Sequence, residues 1–203
     1  MIRARIVALT LLVAALAVGC GIPADEEPRA VSDQTVPEEL ARPTDPVEEG
    51  RSMRATLFFT RYVDERSGVL VRTERDVATG GAGSAPPTLV LEALLEGVVD
   101  GGEQDEGIVT RIPANTVLAN PPELDGGILT IDLSAAIRGV MGDGAKLAYG
   151  QMVCTATELA EVEAVLFTVE GDPVWPPTGD GETSDGPLAC TSYANLLEQP
   201  LEG

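Results

Sequence analysis

Residues 145–171 read AKLAYGQMVCTATELAEVEAVLFTVEG, and the rest of the chain is organised around this stretch. Ala145, Ala148, Met152, Ala156 and Leu159 recur at helical spacing and predict a helix with one apolar face. Glu161 interrupts that pattern. Val162, Ala164, Val165, Leu166, Phe167 and Val169 then form a short, β-rich apolar run, and Gly171 opens a turn. A strand apolar on both faces belongs inside a sheet rather than at its edge. A helix feeding such a strand predicts the centre of one small α/β (α+β) domain.

The flanking segments extend this unit. Residues 54–63 (RATLFFTRYV) alternate as a strand, with Leu57 and Phe59 on one side and Phe58 and Tyr62 on the other. A polar turn at 64–68 and a second strand at 69–73 complete a hairpin. Pro86 and Pro87 suit the first turn of a helix, and Val90, Leu91, Leu94, Leu95 and Val98 supply its apolar stripe. Residues 116–119 and 128–133 predict two more strands, with a turn at 124–127 between them. Ser134 is placed to cap a short helix reaching about Val140. After the central strand, residues 172–175 add a short edge strand, and residues 188–197 a helical tail. The expectation is a single domain over residues 54–199, with a mixed or antiparallel sheet packed by about three helices.

Composition excludes several functions. The chain has 203 residues, enough for one domain plus appendages. Its net charge is −20, from 33 acidic against 13 basic residues. Such a field repels phosphate backbones, so no nucleic acid is expected as a partner. There is no histidine, which removes Ser-His-Asp and Cys-His catalysis and histidine-ligated zinc. Aromatic residues make up 3%, too few for a carbohydrate platform of stacked rings. The loop at 79–85 contains Gly80, Gly81 and Gly83, but no lysine follows and the order is not that of a phosphate loop. No cofactor is expected.

The N-terminus reads as a targeting segment. Arg3 and Arg5 are basic, and residues 6–18 are apolar except Thr10, too short a run to span a bilayer comfortably. Ala17, Val18, Gly19 and Cys20 resemble a bacterial lipobox. That resemblance implies cleavage after residue 19, a diacylglyceryl thioether on Cys20, and a cell-membrane location facing outside the cytoplasm. An ordinary signal peptide is the alternative. Residues 20–53 follow as a tether: Pro23, Pro28, Pro37, Pro43 and Pro46 are interleaved with nine acids, without aromatic residues or apolar periodicity. Such a composition predicts a disordered, extended spacer.

The order of the domain's pieces resembles a family. Residues 151–157 (QMVCTAT), then Val162, Glu163, Ala164 and Val165, then Val169, Glu170 and Gly171 are similar to the GerMN domain of sporulation and germination proteins. So are residues 91–97 (LEALLEG), Arg111, Ile112 and Pro113, and residues 129–134 (LTIDLS). The lipobox and tether resemble those of actinobacterial lipoproteins carrying one such domain. The resemblance implies a compact extracytoplasmic α/β module without catalytic residues, associated with protein assembly.

Candidate site residues are few. Setting aside Cys20, Cys154 and Cys190 remain. At 100° per residue Cys154 lies nearly opposite the Ala148–Met152–Ala156 stripe, where a returning tail could reach it. An oxidising compartment favours a Cys154–Cys190 disulfide over two free thiols. The acidic loops at 100–106 and 180–186 invite a calcium reading but lack EF-hand spacing, so solvated loops are preferred. Asp132 interrupts an apolar strand and is the carboxylate to watch for acid–base work, although a cap on the helix after Ser134 is the preferred reading. Gln151 and Thr155, one turn apart, are expected to bond to neighbouring backbone rather than to a substrate. The functional expectation is a non-catalytic interaction module of the cell envelope, held to the membrane by the lipid on Cys20. Its expected partner is a membrane or envelope protein with a basic outer surface, with no small-molecule substrate. A solute-binding lipoprotein and a carboxylate-dependent wall hydrolase are the alternatives. An α/β core of Ala, Val and Leu leaves little room for a binding pocket of several hundred Å3.

Overall fold

The computed structural model describes residues 52–64, 67–79, 86–98 and 106–199. The expected signal peptide, Cys20, nearly all of the expected tether, most of the glycine loop at 79–85 and the acidic loop at 100–105 lie outside the described residues.

The first sheet is antiparallel. Strand β1 (Ser52–Tyr62) pairs with β2 (Gly68–Ala78) along its full length, from Ser52 opposite Ala78 to Tyr62 opposite Gly68. Asp64 Oδ1 accepts the Ser67 N–H at 2.8 Å where the chain reverses. On its other side β1 pairs with β3 (Ile108–Val109) only at Thr60 and Arg61. The order is β2-β1-β3. β1 begins at Ser52 rather than Arg54. β2 runs well past the expected Thr73, because a long partner strand aligns even its charged residues.

The second sheet is mixed. β4 (Glu123–Asp125), β5 (Ile128–Leu133), β6 (Ala164–Val169) and β7 (Asp172–Val174) lie in that order. β5 and β6 are parallel, in register from Ile128 opposite Ala164 to Leu133 opposite Val169. The outer pairs are antiparallel. Parallel neighbours need a long crossover. Here the crossover holds a 3-10 helix (Ala135–Gly139) and the central helix. Glu170 and Gly171, with φ of 54° and 85°, close the β6–β7 hairpin in the left-handed conformation that a two-residue loop requires. The expected mixed or antiparallel sheet is thus two sheets, one of each kind. The predicted strand at 116–119 is reduced to an isolated bridge from Leu118 to Leu133.

Helix α1 (Pro87–Leu95) starts with proline in its first turn, as expected. Arg75 of β2 donates to Ala93 O at 3.2 Å and Gly97 O at 2.8 Å, placing a cation at the end of α1. Helix α2 (Asp143–Ala156) is the centre of the domain, packing against α1, β1, β2, β6 and the final 3-10 helix (Cys190–Leu196). Every residue of α2 from Gly144 to Ala156 except Lys146 is buried. This corrects the expectation of a single apolar face: a helix enclosed on all sides has no solvent face to leave polar. Tyr149 meets the edge of Phe167 with ring centroids 5.0 Å apart. At Gly150 the helix passes close to both the first sheet and the C-terminal segment. A Cβ there would lie 2.9 Å from Leu70 Cδ1 and 3.0 Å from Tyr193 Cδ1.

Candidate functional site

Gln151 and Thr155 are fully buried, and both reach β1. Thr155 Oγ1 accepts the Phe58 N–H at 2.9 Å. Gln151 Nε2 donates to Phe58 O at 3.3 Å, while its Oε1 accepts the Arg111 N–H at 2.8 Å and the Thr60 hydroxyl at 3.3 Å. Their partners are chiefly backbone, as expected, but backbone 40 to 97 residues away rather than in the same helix. These two side chains replace a neighbouring strand along the edge of β1.

Asp132 is buried at the end of β5, with three donors converging on it. Thr168 donates its hydroxyl to Oδ1 at 2.7 Å and Gly171 its N–H to the same oxygen at 3.0 Å. The Asn120 amide donates to Oδ2. The Thr168 hydroxyl and then the Gly171 N–H hold the carboxyl below its ordinary range, against the opposing effect of burial. The helix-capping role expected for Asp132 is therefore incorrect. Its oxygens tie β5 to β6, to the β6–β7 turn and to the segment before β4. Ser134 also makes no side-chain cap; its hydroxyl accepts the Val117 N–H at 3.1 Å.

Cys154 and Cys190 form a disulfide with Cα atoms 4.5 Å apart. It fastens α2 to the final 3-10 helix, on the side that helical geometry indicated. Tyr193 lies one turn further on; it is fully buried and donates to Pro177 O at 3.0 Å. Burial pushes its phenol well above the usual range. In the acidic loop, Asp180 Oδ1 accepts from the Asn195 amide at 3.1 Å, and the backbone closes on itself from Thr178 N to Glu182 O. No group of three or more potential metal ligands occurs among the described residues.

The surface holds features that no sequence pattern marked. A cleft of about 600 Å3 opens beside β1 and is lined by Met53, Thr56, Val90, Leu124 and Leu159 among others. A second, of about 500 Å3, lies between the end of α1 and residues 108–114. Little room for a pocket of several hundred Å3 was expected, yet clefts of that size open on the surface between elements. Arg111 Nη1 donates to the exposed Tyr62 hydroxyl at 2.6 Å and sits over its ring. Each cleft is lined by segments far apart in the sequence, so no local spacing could have revealed it.

A model of the Germane family, described as sporulation and spore germination, matches residues 56–174. The tandem GerMN domains of the sporulation protein GerM from Bacillus subtilis share the fold, with a TM-score of 0.55 and 19% identity. That alignment covers 70% of this chain and 46% of the tandem protein, so this chain spans about half of its length. A putative lipoprotein from Clostridium perfringens aligns with a TM-score of 0.44 and 18% identity, over 72% of this chain and 93% of that one. The first GerMN domain of GerM taken alone gives 0.44 and 17%, over 60% and 86%. No curated protein matches the chain by sequence. A family match that runs from β1 through β7 and takes in more than half of the residues makes this chain a member of the Germane family of sporulation and spore germination domains.

Proposed function

We propose that this protein is a lipoprotein held outside the cytoplasmic membrane by lipid on Cys20, and that its Germane domain binds another envelope protein without catalysing a reaction. The observation that carries the reading is the state of Asp132. The carboxylate singled out for acid–base chemistry accepts three hydrogen bonds from its own fold and is held ionised, a structural role rather than that of a proton donor. Family membership supports an assembly role, and residues 17–20 (AVGC) support the anchor.

The charge of −20 favours a partner with a basic outer surface, and binding that weakens as salt rises. About thirty residues of tether give the domain a reach of up to roughly 100 Å when extended. A leash of that length raises the effective concentration of the domain at a membrane-bound partner.

The test uses intact cells producing the full chain. Cys20→Ser abolishes palmitate labelling and releases the protein from the membrane fraction. Crosslinking of the wild type captures an envelope protein, and that capture declines as ionic strength rises. Labelling that survives Cys20→Ser overturns the anchor. Loss of function in a folded, partner-binding Asp132→Asn variant overturns the non-catalytic reading.

A further inference from the structure

We propose that the open edge of β1 at Arg54 and Thr56 is the docking site for an extended, basic segment of the partner, which adds to the first sheet as another strand. The inference rests on the partner-binding reading above and says where on the domain that contact is made.

The direction of the β1 backbone follows from Phe58. Its N–H and C=O meet Thr155 and Gln151 of α2, so they point away from β2. In an antiparallel ladder this direction alternates from residue to residue. Thr60, Thr56 and Arg54 therefore point the same way as Phe58. Thr60 is met by Val109 of β3. Phe58 is met by α2. The helix ends at Ala156, and beyond it no described group bonds to the backbone of Thr56 or Arg54. The edge is sealed by a strand, then by a helix, and then left open.

The open part faces the cleft of about 600 Å3. Met53 and Leu124 in its wall are 37% and 41% exposed, and Val90 and Leu159 continue the apolar lining. An added strand would place alternate side chains against that wall while its backbone pairs with β1. The outer edge of β2 contrasts with this. There the Leu70 carbonyl is occupied by the Glu198 N–H at 2.9 Å, and Arg72, Glu74 and Asp76 guard the remainder with exposed charges. Charge selects the occupant. Arg54 pairs with Glu74 at 3.5 Å and Glu158 with Arg72 at 2.7 Å. Among the described residues, Glu161 on the rim and Glu123 and Asp125 on either side of Leu124 have no cationic partner. The rim is therefore acidic, which favours lysine or arginine on the incoming segment.

The probe is an acetylated seven-residue peptide alternating valine and lysine, added to the full chain while amide hydrogen exchange is followed by NMR. The expected result is at least tenfold slower exchange at Arg54 and Thr56, with Arg72 and Glu74 unchanged. Methylating the peptide nitrogens along one edge weakens binding at least tenfold, and this control leaves the protein unaltered. Protection elsewhere, no protection at millimolar peptide, or indifference to methylation overturns the proposal. In cells, a photo-crosslinking residue at Leu124 captures the partner and one at Trp175 does not. Capture from Trp175 alone overturns this site and leaves the partner-binding reading intact. Capture of only a second copy of the chain overturns the assignment of the occupant. A peptide that binds this edge while neither position captures any protein overturns the partner-binding reading and leaves the peptide site standing.

Discussion

The Thr155 hydroxyl accepts the backbone N–H of Phe58 at 2.9 Å, across 97 residues of sequence. The bond joins the last turn of the central helix to the middle of β1, where a neighbouring strand would otherwise lie. A buried donor left without its acceptor costs about 1–3 kcal/mol. Thr155→Val keeps the shape and removes the acceptor, so it lowers unfolding stability by about that amount. Gln151→Leu costs more, because it strands the Phe58 carbonyl and the Arg111 N–H together. Urea denaturation of both variants measures the difference, and a Thr155→Val variant as stable as wild type would contradict the assignment.

The disulfide joins residues separated by 36 positions. In the chain-entropy model a loop of that size is worth about 4 kcal/mol, mainly by restricting the unfolded chain. Replacing Cys154 and Cys190 with alanine is expected to lower the melting temperature markedly while far-ultraviolet dichroism below the transition stays unchanged. Calorimetry of the variant beside the oxidised protein makes the comparison. Two titratable thiols in the unreduced wild type would refute it.

Asp132 gives the fold a signature in acid. Its folded carboxyl lies below the ordinary value of 3.8, so the folded state favours the ionised form. That stabilisation is fully present above the unfolded pKa of about 4 and is lost as pH falls through the lower folded value. Wild type minus Asp132→Asn, measured as unfolding free energy against pH, should therefore be constant above about pH 5 and shrink below about pH 4. A difference that grows on acidification would reverse the sign and rule out the assignment.

Gly150→Ala tests the close approach around α2. The added methyl meets Leu70 at 2.9 Å and the Tyr193 ring at 3.0 Å, so one of them must move. Overpacking of this kind costs about 1–3 kcal/mol, which outweighs the gain of up to about 1 kcal/mol in helix propensity. The variant should melt below wild type. One that melts above it would show that the segment around Tyr193 yields freely.

The residues by themselves determined the order of the main elements. The helical recurrence before Glu161, the apolar run after it and the alternation around Leu57 and Phe59 are local records of burial, which a chain carries whatever its neighbours are. Helical phase also placed Cys154 on the side where Cys190 is found. Other features were decided only in three dimensions. Residues 74–78 joined β2 because β1 offered them a full-length partner, although their own charges argue against a strand. Gln151 and Thr155 look like surface residues of an amphipathic helix until their partners on β1 enclose them. Asp132 read as a cap, yet Asn120, Thr168 and Gly171 converge on it from three separate segments. The open edge of β1 was the least legible of all. Periodicity records which side chains avoid water, but an edge is open or closed according to which backbone comes to lie beside it, and that is settled only when distant elements pack.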